Sequence, residues 1–324
     1  MRLTHKPVLC NYYLTYRCNA SCSFCDIWEK PSPYVNHNDV VANLLALKEL
    51  GVKVIDFTGG EPLLHTGLPG FLEAAKARGF ITTVTTNGLL YPKRASALQG
   101  LVDMLHFSLD AASAERHDKG RGIACFQKVI DSLDLALTLG ERPDVLFTFS
   151  DENAEEAEVV YQEICRPRGL MLLLNPMFGY NDVGGEAVSV ATMMRMERLA
   201  AKPLVYLNKG FTELRRNGGN QINNPTCRAG ETTVVISPNN ELVLPCYHAG
   251  LQTYAIEGNL AQLWASATVR EERAKAGRLE VCQGCTINCY MQPSMATKVD
   301  AYFWKALPST LKYNWVKGTW KALL

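Results

Sequence analysis

The sequence has no excess of charge of either sign. Lys and Arg number 33 against 32 Asp and Glu, a formal charge of +1. That excludes a basic footprint for nucleic acid spread over the whole surface. No apolar run reaches the ~18 residues that a membrane helix needs. Residues 1–7 lack the apolar stretch of a signal peptide, so the chain is expected to be cytoplasmic. There is no Gly-x4-Gly-Lys-Ser/Thr phosphate loop and no His-Glu-x2-His metalloprotease helix. The six histidines are scattered, and none is assigned to catalysis. No repeat and no low-complexity segment is present.

What is there is a full-sized core and many thiols. The 324 residues are 47% apolar and 20% charged, enough for one large α/β domain or two ordinary ones. Eleven cysteines are an odd number, which in a reducing compartment is no disulfide framework. Cys10, Cys18, Cys22 and Cys25 lie near the front, and Cys227, Cys246, Cys282, Cys285 and Cys289 near the back. Clustered thiols of this kind read as two metal sites. Cys10, Cys125 and Cys165 read as buried apolar positions.

From residue 8 to about 177, β-rich runs alternate with helical patterns. Strands are expected at 8–16, 52–58, 80–86, 104–109, 145–150 and 170–175. Helices are expected at 39–50 (capped by Asn38), 68–78, 123–139 and 154–165. This alternation means a parallel sheet of α/β class, and six units suggest an incomplete barrel. A Gly/Asn-rich loop follows at 178–185, then a helical stretch at 190–216 interrupted at Pro203. From about 217 a smaller module begins. It holds a hairpin at 232–237 and 241–245 about Pro238-Asn239-Asn240, then a helix at 260–276.

Cys18, Cys22 and Cys25 form a C-x3-C-x2-C run directly after the first strand. Ligands of parallel α/β sheets gather at that end. Three thiolates are one fewer than a cubane iron–sulfur cluster uses, which leaves one iron open. Three Cys plus a His would make structural zinc, yet no His lies within ten residues on either side. One unit later comes Thr58-Gly59-Gly60-Glu61-Pro62. Alone it is a turn; here its two glycines admit close backbone approach and Glu61 offers an acceptor.

At these residues the sequence resembles the radical S-adenosylmethionine enzymes. The likeness covers residues ~8–180 and implies a partial (β/α)6 TIM-like barrel. It implies a [4Fe–4S] cluster on Cys18, Cys22 and Cys25, with S-adenosylmethionine chelating the open iron. It implies that Gly59, Gly60 and Glu61 meet the cofactor's amine and that Phe24 packs near adenine. By the same resemblance Asn87, in Thr86-Asn87-Gly88, is a family-like position. Ser108 and Asp110 are candidates for the ribose or carboxylate, and Arg121 for the carboxylate. The implied chemistry is reductive cleavage of the cofactor to a 5′-deoxyadenosyl radical, which removes a hydrogen atom from an unactivated C–H bond.

The set Cys227, Cys246, Cys282-x2-Cys285 resembles the twitch module, the shorter relative of the SPASM extension, and implies a second, auxiliary [4Fe–4S] cluster. Cys289 is then spare, an alternative ligand or a substrate-side thiol; a four-Cys zinc ribbon is the rival. The expected organisation is a barrel at 1–180, a helical linker at 181–216, the cluster module at 217–298 and a tail at 299–324.

That tail carries Lys305, Lys312, Lys317 and Lys321 among Trp304, Trp315 and Trp320, with no acid after Asp300. Its expected role is to cover the barrel mouth or touch a membrane. From it follows an expected hydrophobic substrate, a tetrapyrrole such as a (bacterio)chlorophyll or heme precursor, oxidised on a ring substituent. A peptide-modifying enzyme and a two-cluster electron carrier are the alternatives. The first strand begins by residue 8, so no fused leader-binding domain is expected. A flavodoxin or ferredoxin is the expected electron donor, and nucleic acid is not an expected partner.

Overall fold

The computed structural model describes residues 6–178 and 188–319. Its centre is a ten-stranded sheet. In chain order the strands are β1 (Leu9–Tyr13), β2 (Val54–Thr58), β3 (Ile81–Thr86), β4 (Met104–Ser108), β5 (Asp144–Phe149), β6 (Met171–Pro176), β7 (Val205–Tyr206), β8 (Thr233–Ile236), β9 (Glu241–Leu244) and β10 (Gln252–Ala255). Their order in the sheet is β10-β9-β8-β1-β2-β3-β4-β5-β6-β7. Strands β1 to β7 pair in parallel in sequence. The expected α/β class and partial barrel are what the structure shows. The hairpin is not set apart from it, because β8 pairs in parallel with β1 and continues the same sheet.

Alternation along the strands separates two faces. Tyr12, Ile55, Phe57, Val84, Leu105, Phe107, Val145, Phe147 and Leu172 point outward and are buried with Leu44, Leu47, Phe71, Leu72, Val129 and Leu133 of the surrounding helices. Each such side chain contributes roughly 1.5–3 kcal/mol by leaving water. The inward residues are of another kind: Asn11, Tyr13, Asp56, Thr58, Thr83, Thr85, His106, Ser108, Thr148 and Asn175, with Leu146 and Leu173. The lumen of the half-barrel is therefore mostly polar.

Several element expectations shift. The first helix runs His37–Leu50 and is capped by Asn36, whose side chain accepts from Asn38 N at 2.8 Å, so Asn36 and not Asn38 is the cap. The stretch expected to be helical at 190–216 is a helix Val190–Leu199, strand β7, and a helix Lys209–Arg216 capped by Asn208. The 260–276 helix is two, Leu260–Ala265 and Ala267–Ala274, broken where Ser266 caps the second. Helices Tyr91–Leu98 and Ala114–Arg121 were not anticipated; the second, AERHDKGR, has no apolar stripe to reveal it. The 178–185 loop lies almost entirely outside the described residues.

The tail requires a larger correction. Residues Ala301–Lys317 form a helix that docks at the N-terminal end of the strands, opposite the mouth. Tyr313 Oη donates to Asp144 Oδ2 at 3.0 Å and lies 3.1 Å from His106 Nε2. Lys317 Nζ reaches Asp144 Oδ1 at 3.1 Å, with both side chains buried. Asp144 opens β5, four residues and so about 13 Å before Thr148 at the mouth. Lys305 pairs with Glu213, and Lys312 donates to the carbonyls of Lys202 and Val205. The lysines expected to face an anionic surface thus bond within the fold, while Trp304, Leu311 and Trp315 remain exposed. Trp320 and Lys321 lie outside the described residues.

Candidate functional site

The C-x3-C-x2-C loop leaves β1 at the mouth and is held by the end of the helix Ala114–Arg121 and by the Gly59-Gly60-Glu61 turn. Ser21 N donates to Arg121 O at 3.2 Å, and Ser23 N to Gly120 O at 3.1 Å. Gly60 N and Glu61 N donate to Thr15 O and Arg17 O, each at 2.9 Å. This contact sets the demand for glycine. A Cβ on Gly59 would stand 2.1 Å from Thr15 O, and one on Gly60 2.2 Å from Arg17 O. In this structure the close approach that the two glycines permit is that of the chain's own cysteine loop.

Glu61 is buried, with both carboxylate oxygens engaged. It accepts from Leu63 N (3.1 Å), Thr86 Oγ1 (2.8 Å) and Asn87 N (2.9 Å). Burial raises its carboxyl to about 7 against these bonds. Its visible work is to fix the Thr86-Asn87-Gly88 turn. Asn87 then points Nδ2 at Asn19 Oδ1 (2.7 Å) and at Cys18 Sγ (4.0 Å). Arg121 Nη1 lies 3.9 Å from Cys22 Sγ, its Nη2 pairs with Asp110, and its guanidinium carbon is 5.3 Å from the Phe24 ring centre. Asp110 also accepts from Thr148 N at 2.8 Å, so neither of its oxygens is idle. Ser108 is buried on the inward face just before it.

Cys18, Cys22 and Cys25 are free thiols at half-buried positions. Burial pushes Cys18 up to about 11 and raises Cys25 as well. Thiols so raised become thiolates when metal binds, and N–H groups directed at two of the sulfurs suit a cluster. Beside them a cavity of about 410 Å³ opens between Phe24, Asp110, His117, Thr148, Asn153 and Met177. Arg121 Nε and His117 Nε2 are buried nearby with no hydrogen-bond partner among the described residues. A ligand bearing carboxylate and hydroxyl oxygens fits such a place. His117 was not anticipated; its Nδ1 accepts from Asp110 N at 3.2 Å, and burial lowers it to about 4, keeping the ring neutral. It also lies beside Asp118 and Cys125, a group with metal-ligand spacing. Asp118, however, already caps Cys125 N and Phe126 N.

Cys227, Cys246, Cys282 and Cys285 line one small apolar cavity with Pro245, Ile287, Tyr290 and Met291. Cys289 is not among its walls. Burial raises Cys246 to about 12 and Cys227 further, the neighbouring thiols adding to both. The organiser is Asn220, fully buried and unnoticed in the sequence. Its Oδ1 accepts from Cys227 N (3.0 Å), and its Nδ2 donates to the carbonyls of Gly277 (2.8 Å) and Cys282 (3.0 Å). Its backbone pairs with Gly284 N and Cys285 O. A buried Asn before a Cys-rich turn carries no pattern that a sequence reading detects.

Residues 12–164 match the family model described as Radical SAM superfamily. The chain carries a radical SAM domain. This family implies S-adenosylmethionine and a [4Fe–4S] cluster. The chain is similar to a probable GTP 3′,8-cyclase of Saccharolobus solfataricus, 32% identical over 150 residues, 44% of this chain and 48% of that protein. It is also similar to the GTP 3′,8-cyclase of Chlorobaculum tepidum, 37% identical over 130 residues, 38% of this chain and 39% of that one. The matches thus span about half the length of these curated relatives or less. Over nearly the whole chain the likeness is structural. Streptococcus suis SuiB bound to the precursor peptide SuiA aligns with a TM-score of 0.68 at 16% identity, covering 93% of this chain and 76% of that one. The protein anSMEcpe with bound AdoMet aligns at 0.63 and 15%, covering 98% and 95%. Identities this low show a shared fold. Among the described residues no helix is long and apolar enough to cross a membrane.

Proposed function

We propose that the chain is a radical S-adenosylmethionine enzyme that oxidises a C–H bond of a polar substrate held in the barrel lumen. The observation that carries this is the placement of three free thiols, two of them faced by side-chain N–H groups, at the mouth above inward-facing polar side chains. Cys18, Cys22 and Cys25 would hold the cluster, with Phe24, Asn87 and Arg121 around the cofactor. Cluster and cofactor together supply a carbon radical able to take a hydrogen atom. The chain's own part is to orient the target carbon below the mouth and keep water away. Cys227, Cys246, Cys282 and Cys285 would hold a second [4Fe–4S] cluster, and a cluster with four thiolates is left electron transfer as its role. The electron donor would be a flavodoxin or ferredoxin.

The tetrapyrrole reading loses its footing. It rested on a tail at the mouth, whereas the tail helix lies at the floor and the lumen lining is mostly polar, with Asn, Asp, Thr and Ser beside Tyr13, His106, Leu146 and Leu173. A peptide side chain or another polar metabolite suits that lining better.

The test is anaerobic. The reconstituted, reduced protein is mixed with S-adenosylmethionine and 5′-deoxyadenosine is quantified. Formation that is lost in Cys18→Ala, Cys22→Ala and Cys25→Ala supports the reading. Formation that persists in the triple variant overturns the cluster assignment.

A further inference from the structure

The acidic groups around the lumen are not equivalent. Glu61 is consumed by the Thr86-Asn87 turn, Asp110 by Arg121 and Thr148 N, and Asp144 by Lys317 and Tyr313. Asp56 differs. It sits mid-strand on β2, between Ile55 and Phe57, whose side chains enter the outer core. Its own side chain therefore faces inward. In register it lies between Asn11 of β1 and Thr83 of β3, so its flanks are an amide and a hydroxyl. Among the described residues, the Thr83 hydroxyl alone supports it by hydrogen bonding, and no cation is among the groups that act on it. Burial raises it to about 7, as it must for a carboxyl left without compensating charge.

Within electrostatic reach of Asp56 is the thiol of Cys289, at the start of the helix Asn288–Met295. Burial pushes Cys289 up to about 12, and the charge of Asp56 adds to it. Cys289 nonetheless keeps solvent-accessible surface. Its charge interacts with Asp56 and with Tyr13, both on the inward face of the sheet, so the thiol stands on the lumen side. The next residue, Tyr290, is fully buried, and its hydroxyl accepts from Tyr247 N, which fixes the helix against β1 and the second cysteine group.

We propose that Asp56 is a substrate-anchoring residue and that the lumen takes a substrate presenting a positively charged nitrogen, an ammonium or guanidinium, to it. The inference rests on the lumen being the substrate chamber, and it narrows the substrate to a cationic class. A half-buried carboxylate with no compensating charge attracts a cation more strongly than it would in water, and an anion brought there meets the reverse. A polar but uncharged lumen would not discriminate between the two.

Cys289 is a built-in reporter. The reconstituted protein, its cluster thiols occupied, is treated at pH 8 with 2-aminoethyl methanethiosulfonate (cationic) or 2-sulfonatoethyl methanethiosulfonate (anionic). Either reagent forms a mixed disulfide on Cys289 Sγ and releases methanesulfinate; the modified peptide is followed by mass spectrometry, with Cys289→Ser as the blank. After normalisation to the reagents' rates with free 2-mercaptoethanol, the cationic reagent is expected to react at least ten-fold faster. In Asp56→Asn the ratio is expected to fall to near one, and in Asp56→Glu to be retained. Iron content serves as the check that each variant has folded. An equal ratio in the wild type, a preference unchanged by Asp56→Asn, or a Cys289 that neither reagent reaches would overturn the proposal. Formation of 5′-deoxyadenosine by the same preparation reports separately on the enzyme reading, so the two fail independently.

Discussion

The ring of Tyr13 lies flat on that of Tyr247, centroids 4.5 Å apart and planes 17° from parallel. Tyr13 ends the strand that feeds the first cysteine loop, and Tyr247 follows Cys246 of the second group. Tyr16 packs on both, at 5.6 and 5.7 Å, and Lys30 Nζ meets Tyr247 Oη at 3.0 Å. Two sites drawn from opposite ends of the chain are thereby joined through one aromatic cluster.

Tyr247→Leu keeps apolar area but removes the stack and the Lys30 partner. Aromatic pairs contribute ~0.5–1.5 kcal/mol beyond area burial, and the lost hydrogen bond adds about 1 kcal/mol. The urea midpoint of the reconstituted protein should fall accordingly, with the slope unchanged. An unaltered midpoint would show that the joint does not contribute to stability.

Gly60→Ala tests why glycine stands there. The new Cβ strikes backbone, Arg17 O and Tyr16 O, rather than a side chain that could swing aside. The cysteine loop has to move, so the variant should lose the iron of the first site, about four per chain, while the second site keeps its own. Ser23→Gly in the same loop, whose hydroxyl makes only a long 3.5 Å contact, should be neutral.

Asn220→Ala should do the opposite. It strands Cys227 N and two carbonyls at a buried position, each costing about 1–3 kcal/mol. Iron and sulfide should fall at the second site, with 5′-deoxyadenosine formation from the first retained. Cys289→Ala should leave the metal content at the wild-type value, since Cys289 does not line the four-thiol cavity; a drop of about four irons would make it a ligand.

His106 gives a pH prediction. Burial, with Lys317 beside it, lowers its imidazole to about 3. The unfolded chain takes up that proton near 6.5, so between pH 6.5 and 3 it binds more protons than the folded one. Stability is therefore lost as pH falls through this window, by at most ~1.4 kcal/mol per pH unit. Comparing denaturation at pH 7.5 and 5.5, His106→Gln should lose less stability than the wild type. An equal loss in both would mean that His106 does not drive the acid sensitivity.

Much of this was legible because chemistry and spacing coincide. Cys18-x3-Cys22-x2-Cys25 after a strand, Gly59-Gly60-Glu61 one unit later, and the four thiols about the hairpin are local signals, and the fold gathers each set. Asn240 takes its left-handed turn, with φ of 59°, as its position suggested. What escaped is what only tertiary contact defines. Asn220, His117 and Asp56 are ordinary polar residues until the fold buries them. Strand β7 is two residues long, too short for a pattern. The aromatic, lysine-rich tail suggests a surface, because nothing in its composition tells that Lys317 will find Asp144 some 170 positions upstream.

That last pairing bears on how the molecule comes into being. The floor beneath β4 and β5 is supplied by residues synthesised long after those strands, so during translation the lumen stays open below while its walls are already in place. A partly made chain exposes unpaired polar rungs and strand ends for the interval, the condition in which folding is slow and aggregation competes. Ribosome-stalled chains ending before Ala301 should therefore recruit chaperones, and overexpressed protein should partition into inclusion bodies more readily when Lys317 is replaced than when Lys305, which has only a surface partner, is replaced.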